Sequence, residues 1–183
     1  MSISKSLSFI HGLININSSD DDIIQLKLDG CVRRACALDV AYFTSSNFFY
    51  ELFESNTEKL FAFVHNFDSF ATPFKIDEDS GKWIQIIDLQ KRGWEGQFLL
   101  ETDDHDAVAY NFLNGIVFPI NLSWVALALP QCDIALVFEI DSRRSPFDWM
   151  LPFSYPRETA LELLRTCLDT GSFSEISKIL LGK

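Results

Sequence analysis

Acidic side chains are the first candidates for chemistry in this chain, because carboxylates can bind metal ions and transfer protons. The run Glu101–Asp106 holds four acids and His105 within six residues, a composition found in metal sites. It is equally typical of a helix N-terminus, where acids accept hydrogen bonds from free amides and oppose the helix dipole. The other two histidines are far away in sequence. We therefore expect a helix that starts at this run and ends at Gly115, and no metal ion.

A second acidic pattern matches the first positions of a calcium-binding loop. Asp77, Asp79 and Gly81 have the right spacing, but Lys82 stands where the EF-hand loop needs its glycine. We expect a polar turn here.

Glu139 and Asp141 form a third acidic pattern, since both lie on one face of a predicted strand. Paired carboxylates can perform acid–base or metal-assisted chemistry. Nuclease sites built on such a strand usually add a lysine, whereas residues 93–142 contain eight acids and no lysine or arginine. No GxSxG, glycine-rich phosphate loop or HExxH motif occurs in the chain. We expect a solvent-exposed strand end and no catalysis.

The connection 141–155 is the segment most typical of a binding site. It is long for a loop inside a compact domain and shows no clear periodicity. It contains arginine, tryptophan and tyrosine, the residue types enriched in interface hot spots. The alternative is that Phe147, Trp149 and Phe153 fold back over the sheet as a lid, because aromatic side chains are usually buried.

The elements that must position these residues centre on the apolar run 116–140. Residues 122–129 and 134–141 alternate between two faces and are separated by a turn at Pro130, which predicts an antiparallel hairpin. The face of the second strand that carries Glu139 starts apolar and ends acidic. We therefore expect this strand to run from the core into solvent.

The N-terminal part of the chain changes period at Cys31. Before it, alternation predicts a strand at 3–9 that continues to residue 16 after a bulge, and a hairpin that ends at Leu28. After it, Val32, Cys36, Val40 and Phe43 fall on one helical face, which predicts a helix capped by Asp29 and a second short helix over 48–53. Further strands are predicted at 60–65, 74–76, 83–89 and 97–101.

The C-terminal part predicts two helices. Pro156 suits the first turn of a helix that buries Ala160 and Leu164. Ser172 and Glu175 have the spacing of a capping box for the last helix. The cysteines lack CxxC spacing and sit in apolar contexts, so we expect four buried free thiols: Cys31, Cys36, Cys132 and Cys167.

Composition limits the class of protein. The chain has 183 residues, 48% hydrophobic residues and a net charge of −11. This excludes overall disorder and predicts one α+β domain over residues 1–183, with a largely antiparallel sheet and helix pairs near the N-terminal third and at the C-terminus. The charge argues against nucleic acid and anionic membranes as partners. The N-terminus lacks the apolar segment of a signal peptide, so we expect a cytoplasmic protein.

Together these features favour a non-enzymatic module that binds a basic protein partner, such as an acidic inhibitor or an immunity-type protein that neutralises a nuclease toxin. We expect no cofactor. The alternatives are a small enzyme that uses Glu139, Asp141 and His105, or an accessory structural subunit. The predicted contact residues are Asp103, Asp104, Asp106, Glu139, Asp141, Arg143, Arg144, Phe147, Trp149 and Tyr155.

Overall fold

A computed structural model describes residues 9–10, 14–18, 23–28, 30–43, 45, 47–48, 51, 60–64, 84–88, 116–141 and 147–182, with the backbone alone at 14–18, 60–64 and 84–88. Its strands are β1 Ile14–Ser18, β2 Ile24–Leu28, β3 Arg34–Asp39, β4 Leu60–Val64, β5 Ile84–Asp88, β6 Ile116–Pro119, β7 Trp124–Leu129, β8 Ile134–Glu139 and β9 Leu180–Leu181. Its helices are α1 Val40–Phe43, α2 Phe147–Met150, α3 Arg157–Arg165 and α4 Thr170–Ile179.

One mixed sheet organises the fold. Its order is β5-β4-β6-β7-β8-β3-β9, and its pairings are antiparallel except that of β3 with β9. A separate hairpin of β1 and β2 confirms the predicted N-terminal pair. The α+β class with a largely antiparallel sheet is therefore confirmed.

The predicted central hairpin is also confirmed. β7 and β8 pair in the register that places Leu129 opposite Ile134 and Trp124 opposite Glu139. A short 3₁₀ turn, Pro130–Cys132, joins them, and Asp133 closes it in the left-handed region with φ of 57°. Every residue of both strands is buried, because each face of the sheet is covered by another layer.

The two faces of the sheet carry separate apolar clusters. The first cluster includes Val125, Leu127 and Phe138, and α3 and α4 cover it with Ala160, Leu164 and Ile176. The second cluster includes Trp124, Ala126, Val137, Phe147 and Met150, and α1 and α2 contribute to it. The alternation read from the sequence assigns the residues of the central hairpin to the correct faces.

The predicted helix from Cys31 is wrong over most of its length. Residues Arg34–Asp39 form β3 between β8 and β9, and only Val40–Phe43 is helical. A strand that is buried on both faces is apolar throughout, so its pattern matches a helical spacing equally well. Asp39 accepts the α1 amides of Ala41 and Tyr42, at 2.7 and 3.4 Å, and the predicted cap Asp29 lies outside the described residues.

At the C-terminus both predicted helices are present, but the cap of the second one is different. Asp169 accepts the Ser172 amide at 2.7 Å. Hydrogen bonding with the side chain of Ser172, followed by this bond from its amide, lowers the pKa of the Asp169 carboxyl. The predicted capping box of Ser172 and Glu175 is therefore wrong. Ser172 Oγ instead accepts a hydrogen bond from the buried amide of Leu26, at 2.7 Å.

The cysteine prediction is wrong for three of the four residues. Cys132 and Cys167 form a disulfide with a Cα–Cα distance of 5.9 Å, and Cys31 is exposed. Only Cys36 is a buried free thiol, and burial raises its pKa to about 12. Spacing along the sequence could not reveal the pair, because 35 residues separate the two cysteines and the fold brings them together.

Several predictions fall outside the described residues: the strands at 74–76 and 97–101, the helix after residue 101, and the strand at 3–9 apart from its last residue. That residue, Phe9, is helical. The strands at 60–65 and 83–89 are confirmed as β4 and β5 over their described parts, and residues 48 and 51 are helical as predicted, whereas the helical Asn47 precedes the predicted start.

Candidate protein-binding surface

The acidic end of β8 is not exposed to solvent, contrary to the sequence prediction. Glu139 is 0% exposed and lies opposite Arg34 across the β3–β8 pair. Arg34 Nε and a terminal nitrogen donate to its two carboxylate oxygens at 2.9 and 2.6 Å. These hydrogen bonds raise the pKa of the Arg34 guanidinium. The pairing was missed because the sequence pattern placed Arg34 in a helix.

The same arginine holds the start of the 147–155 segment. The guanidinium carbon of Arg34 lies 5.3 Å from the ring centroid of Phe147, which is 2% exposed. The neighbouring Asp148 is exposed, and its charge also favours the protonated arginine. α2 is therefore attached to the sheet at the end where Glu139 is buried.

The segment then crosses the second face of the sheet. Met150 is buried, and Trp149 is half-buried with its ring 5.9 Å from that of Phe48. The predicted lid is thus correct for Phe147 and, in part, for Trp149. It is wrong for Phe153, which is 40% exposed.

Phe153 stacks on Tyr42 of α1. Their ring centroids are 4.8 Å apart and the planes differ by 18°. Tyr42 also meets Phe48 edge-on at 6.0 Å. Burial and the nearby Glu51 carboxylate raise the pKa of Tyr42 to about 12. None of the residues that the structure describes forms a hydrogen bond with the buried Tyr42 hydroxyl.

We call Tyr42, Trp149 and Phe153 the aromatic surface. Its rings come from two segments that are distant in sequence: Tyr42 and Trp149 pack against the second cluster, and Phe153 stacks on Tyr42. The exposed residues Asp148 and Pro152 adjoin it along the chain. Sequence analysis missed Tyr42, although the tyrosine in an otherwise apolar segment was a usable signal.

Tyr155 does not belong to this surface. At Ser154 the chain pairs with Leu38 on the edge of β3, and the Tyr155 amide donates to the Ala37 carbonyl at 2.8 Å. Tyr155 then packs against the first cluster, and its hydroxyl donates to Asp39 Oδ2 at 2.6 Å. Burial, followed by this hydrogen bond, raises the pKa of Tyr155 to about 12. The predicted contact residues are therefore divided between the two faces of the sheet.

Of the other predicted contact residues, Asp141 is half-buried just after β8. Asp103, Asp104, Asp106, Arg143 and Arg144, together with His105, lie outside the described residues. Among those described, no group of three or more histidine, cysteine or acidic side chains is arranged to hold a metal ion.

Two further observations concern the class of protein. No helix in the described ranges is both long and apolar enough to cross a membrane. The chain matches no known protein family, no curated protein and no solved structure.

Proposed function

We propose that this protein is a non-enzymatic module that binds and inhibits a basic protein partner, as an immunity-type protein does, through the aromatic surface. The observation that supports the proposal best is the exposure of Phe153 on a rigid support. Phe153 is 40% exposed, yet its ring stacks on Tyr42, so little conformational freedom is lost when a partner covers it. Aromatic anchors of this kind dominate the binding energy of many interfaces.

Charge supports the choice of a basic partner. The net charge of −11 attracts a basic protein at long range and accelerates association. Near the aromatic surface, Asp148 is exposed and Glu51 is half-buried. Glu139 is removed from the contact set, because its buried carboxylate is engaged by Arg34. Asp141 and the predicted residues outside the described ranges stay predictions.

The test combines capture of the partner with kinetics on matched variants. The full chain is used as bait in its native host, and each captured protein is then purified and measured by stopped flow. Phe153→Ala should raise the dissociation rate roughly tenfold to thirtyfold, the effect of losing a hot-spot residue. The matched control is Phe9→Ala, since Phe9 is also 40% exposed but precedes Ile10, which packs in the first cluster.

Charge is tested in the same way. Asp148→Asn should lower the association rate, and more strongly at low salt. Glu162→Gln is its control, because Glu162 is exposed on α3, across the sheet from the aromatic surface. An acidic partner, or equal effects of target and control variants, would contradict the proposal.

A further inference from the structure

The Cys132–Cys167 disulfide lies where three parts of the fold meet. Cys132 ends the turn between β7 and β8, and Cys167 follows α3. The two residues are only 3% and 4% exposed and belong to the first cluster. The bond therefore joins the central hairpin to the C-terminal helices inside the core.

Cys167 is also the attachment point of the N-terminal hairpin. Its carbonyl accepts the Ile24 amide at 2.7 Å, and the Ile24 carbonyl accepts the Asp169 amide at 3.1 Å. The Leu26 amide donates to Ser172 Oγ at 2.7 Å. β2 is thus held along the connection between α3 and α4 by hydrogen bonds that begin at the cross-linked residue.

Reduction removes the covalent link at this point. Without the bond, only packing in the first cluster keeps Cys167 next to Cys132. The Leu164 carbonyl oxygen lies 3.7 Å from Cys167 Sγ. In the disulfide the sulfur has no hydrogen to donate, but the reduced thiol finds an acceptor there.

We propose that the Cys132–Cys167 pair is a redox-controlled clamp whose oxidised form holds the β1–β2 hairpin against the α3–α4 connection and whose reduced form loosens it. The co-reactant is a dithiol reductant. One of its thiolates attacks a sulfur of the pair, forms a mixed disulfide and releases the other cysteine as a thiolate. Its second thiol then closes the reductant's own disulfide and releases the first cysteine. Two electrons pass to the pair, and the two protons end on Cys132 and Cys167.

The compartment in which the protein resides determines whether the clamp is oxidised or reduced. Disulfides persist in oxidising compartments and are reduced in the cytoplasm. Docking of the hairpin therefore depends on where the protein resides. Because Cys132 and Cys167 are buried, a thiolate reaches their sulfurs only when the fold opens locally, so reduction is slower than that of an exposed disulfide.

The test is hydrogen exchange on the full chain, with and without dithiothreitol as the dithiol. Reduction should accelerate exchange of the Ile24, Leu26 and Asp169 amides at least tenfold more than that of the β7 and β8 amides, which respond only to the lower stability of the whole domain. Thiol titration of the unreduced, denatured protein should find two of the four cysteines free. Cys132→Ser should exchange rapidly without reductant and show no further response, whereas the exposed control Cys31→Ser should respond as the wild type does.

Three outcomes would overturn the clamp. Four free thiols in the unreduced protein would exclude the disulfide. Unchanged exchange at Ile24 and Asp169 after reduction would leave only a passive cross-link, and uniform acceleration that includes β7 and β8 would indicate a general loss of stability. The wild type with dithiothreitol gives these results even if Cys132→Ser fails to fold.

Discussion

The Glu139 carboxylate lies in the protein interior, and the side chain of its partner Arg34 is partly exposed. The side chains are 1% and 44% exposed, respectively. The bidentate geometry satisfies both carboxylate oxygens and explains why an acid is tolerated next to the second cluster. An acid at a strand end is usually exposed, and only the partner on the neighbouring strand makes this one different.

The first prediction concerns this pair. Arg34→Met should lower the free energy of unfolding by about 2–3 kcal/mol, because the buried Glu139 carboxylate loses the guanidinium that donates to both of its oxygens. This is below the cost of breaking a fully buried pair, since water replaces part of the exposed guanidinium. Urea denaturation measures the change. The adjacent Arg33→Met is the control and should stay within about 0.5 kcal/mol, because Arg33 is exposed.

A double variant separates the charge effect from lost packing. Arg34→Met combined with Glu139→Leu should recover part of the stability, because no charge is then left buried. If the double variant loses as much as the two single variants together, the two side chains act independently and our account of the pair is wrong.

At the scale of elements, α4 shows how a local signal can be real but assigned to the wrong residue. A helix was predicted from Ser172 and observed from Thr170, because Asp169 has the better position for the cap. Ser172 is then the third residue of the helix, in its first turn, and its hydroxyl accepts the hydrogen bond from β2. Ser172, predicted to cap the start of the helix, in fact connects the helix to a strand.

The second prediction follows from that connection. Ser172→Ala should cost about 1–3 kcal/mol, because the Leu26 amide, in a residue 1% exposed, loses its acceptor inside the core. Ser174→Ala on the exposed side of the same helix should cost no more than about 0.5 kcal/mol. Thermal unfolding of both variants compares them directly. Equal losses would show that helix propensity, and not the bond to Leu26, determines the effect.

At the scale of the whole molecule, a buried sheet separates two apolar layers. β7 and β8 are covered on both faces, whereas β1 and β2 form a small separate sheet attached through the α3–α4 connection. Such an arrangement distributes stability unevenly, because elements with fewer buried contacts open before the core does.

The third prediction is therefore that the β1–β2 hairpin opens at a lower free energy than the central strands do. In native-state hydrogen exchange, amides of Ala126, Leu127 and Val137 should exchange only by global unfolding, with the free energy and denaturant dependence of the whole domain. Amides of β2 should exchange with a smaller free energy of opening and a weaker dependence on denaturant concentration. Identical values for both groups would mean that the hairpin and the sheet unfold as one unit.

The sequence by itself determined the central hairpin, the two C-terminal helices and the α+β class. These follow from local rules: alternation separates Val125 from Ala126, and periodicity places Ala160 and Leu164 on one helical face. Such patterns are visible in the helices because each helix faces one apolar layer. They are visible in the central strands because the two layers that these strands face receive side chains of different size.

Only the tertiary structure decided the rest. β3 is a strand because β8 and β9 offer it hydrogen bonds on both edges, which outweighs its helical spacing. Glu139 is buried because Arg34 is opposite it, Cys132 meets Cys167 across the core, and Phe153 finds Tyr42 only once two distant segments lie together. Each of these contacts joins residues far apart in the chain, and no local pattern encodes the position of a distant partner.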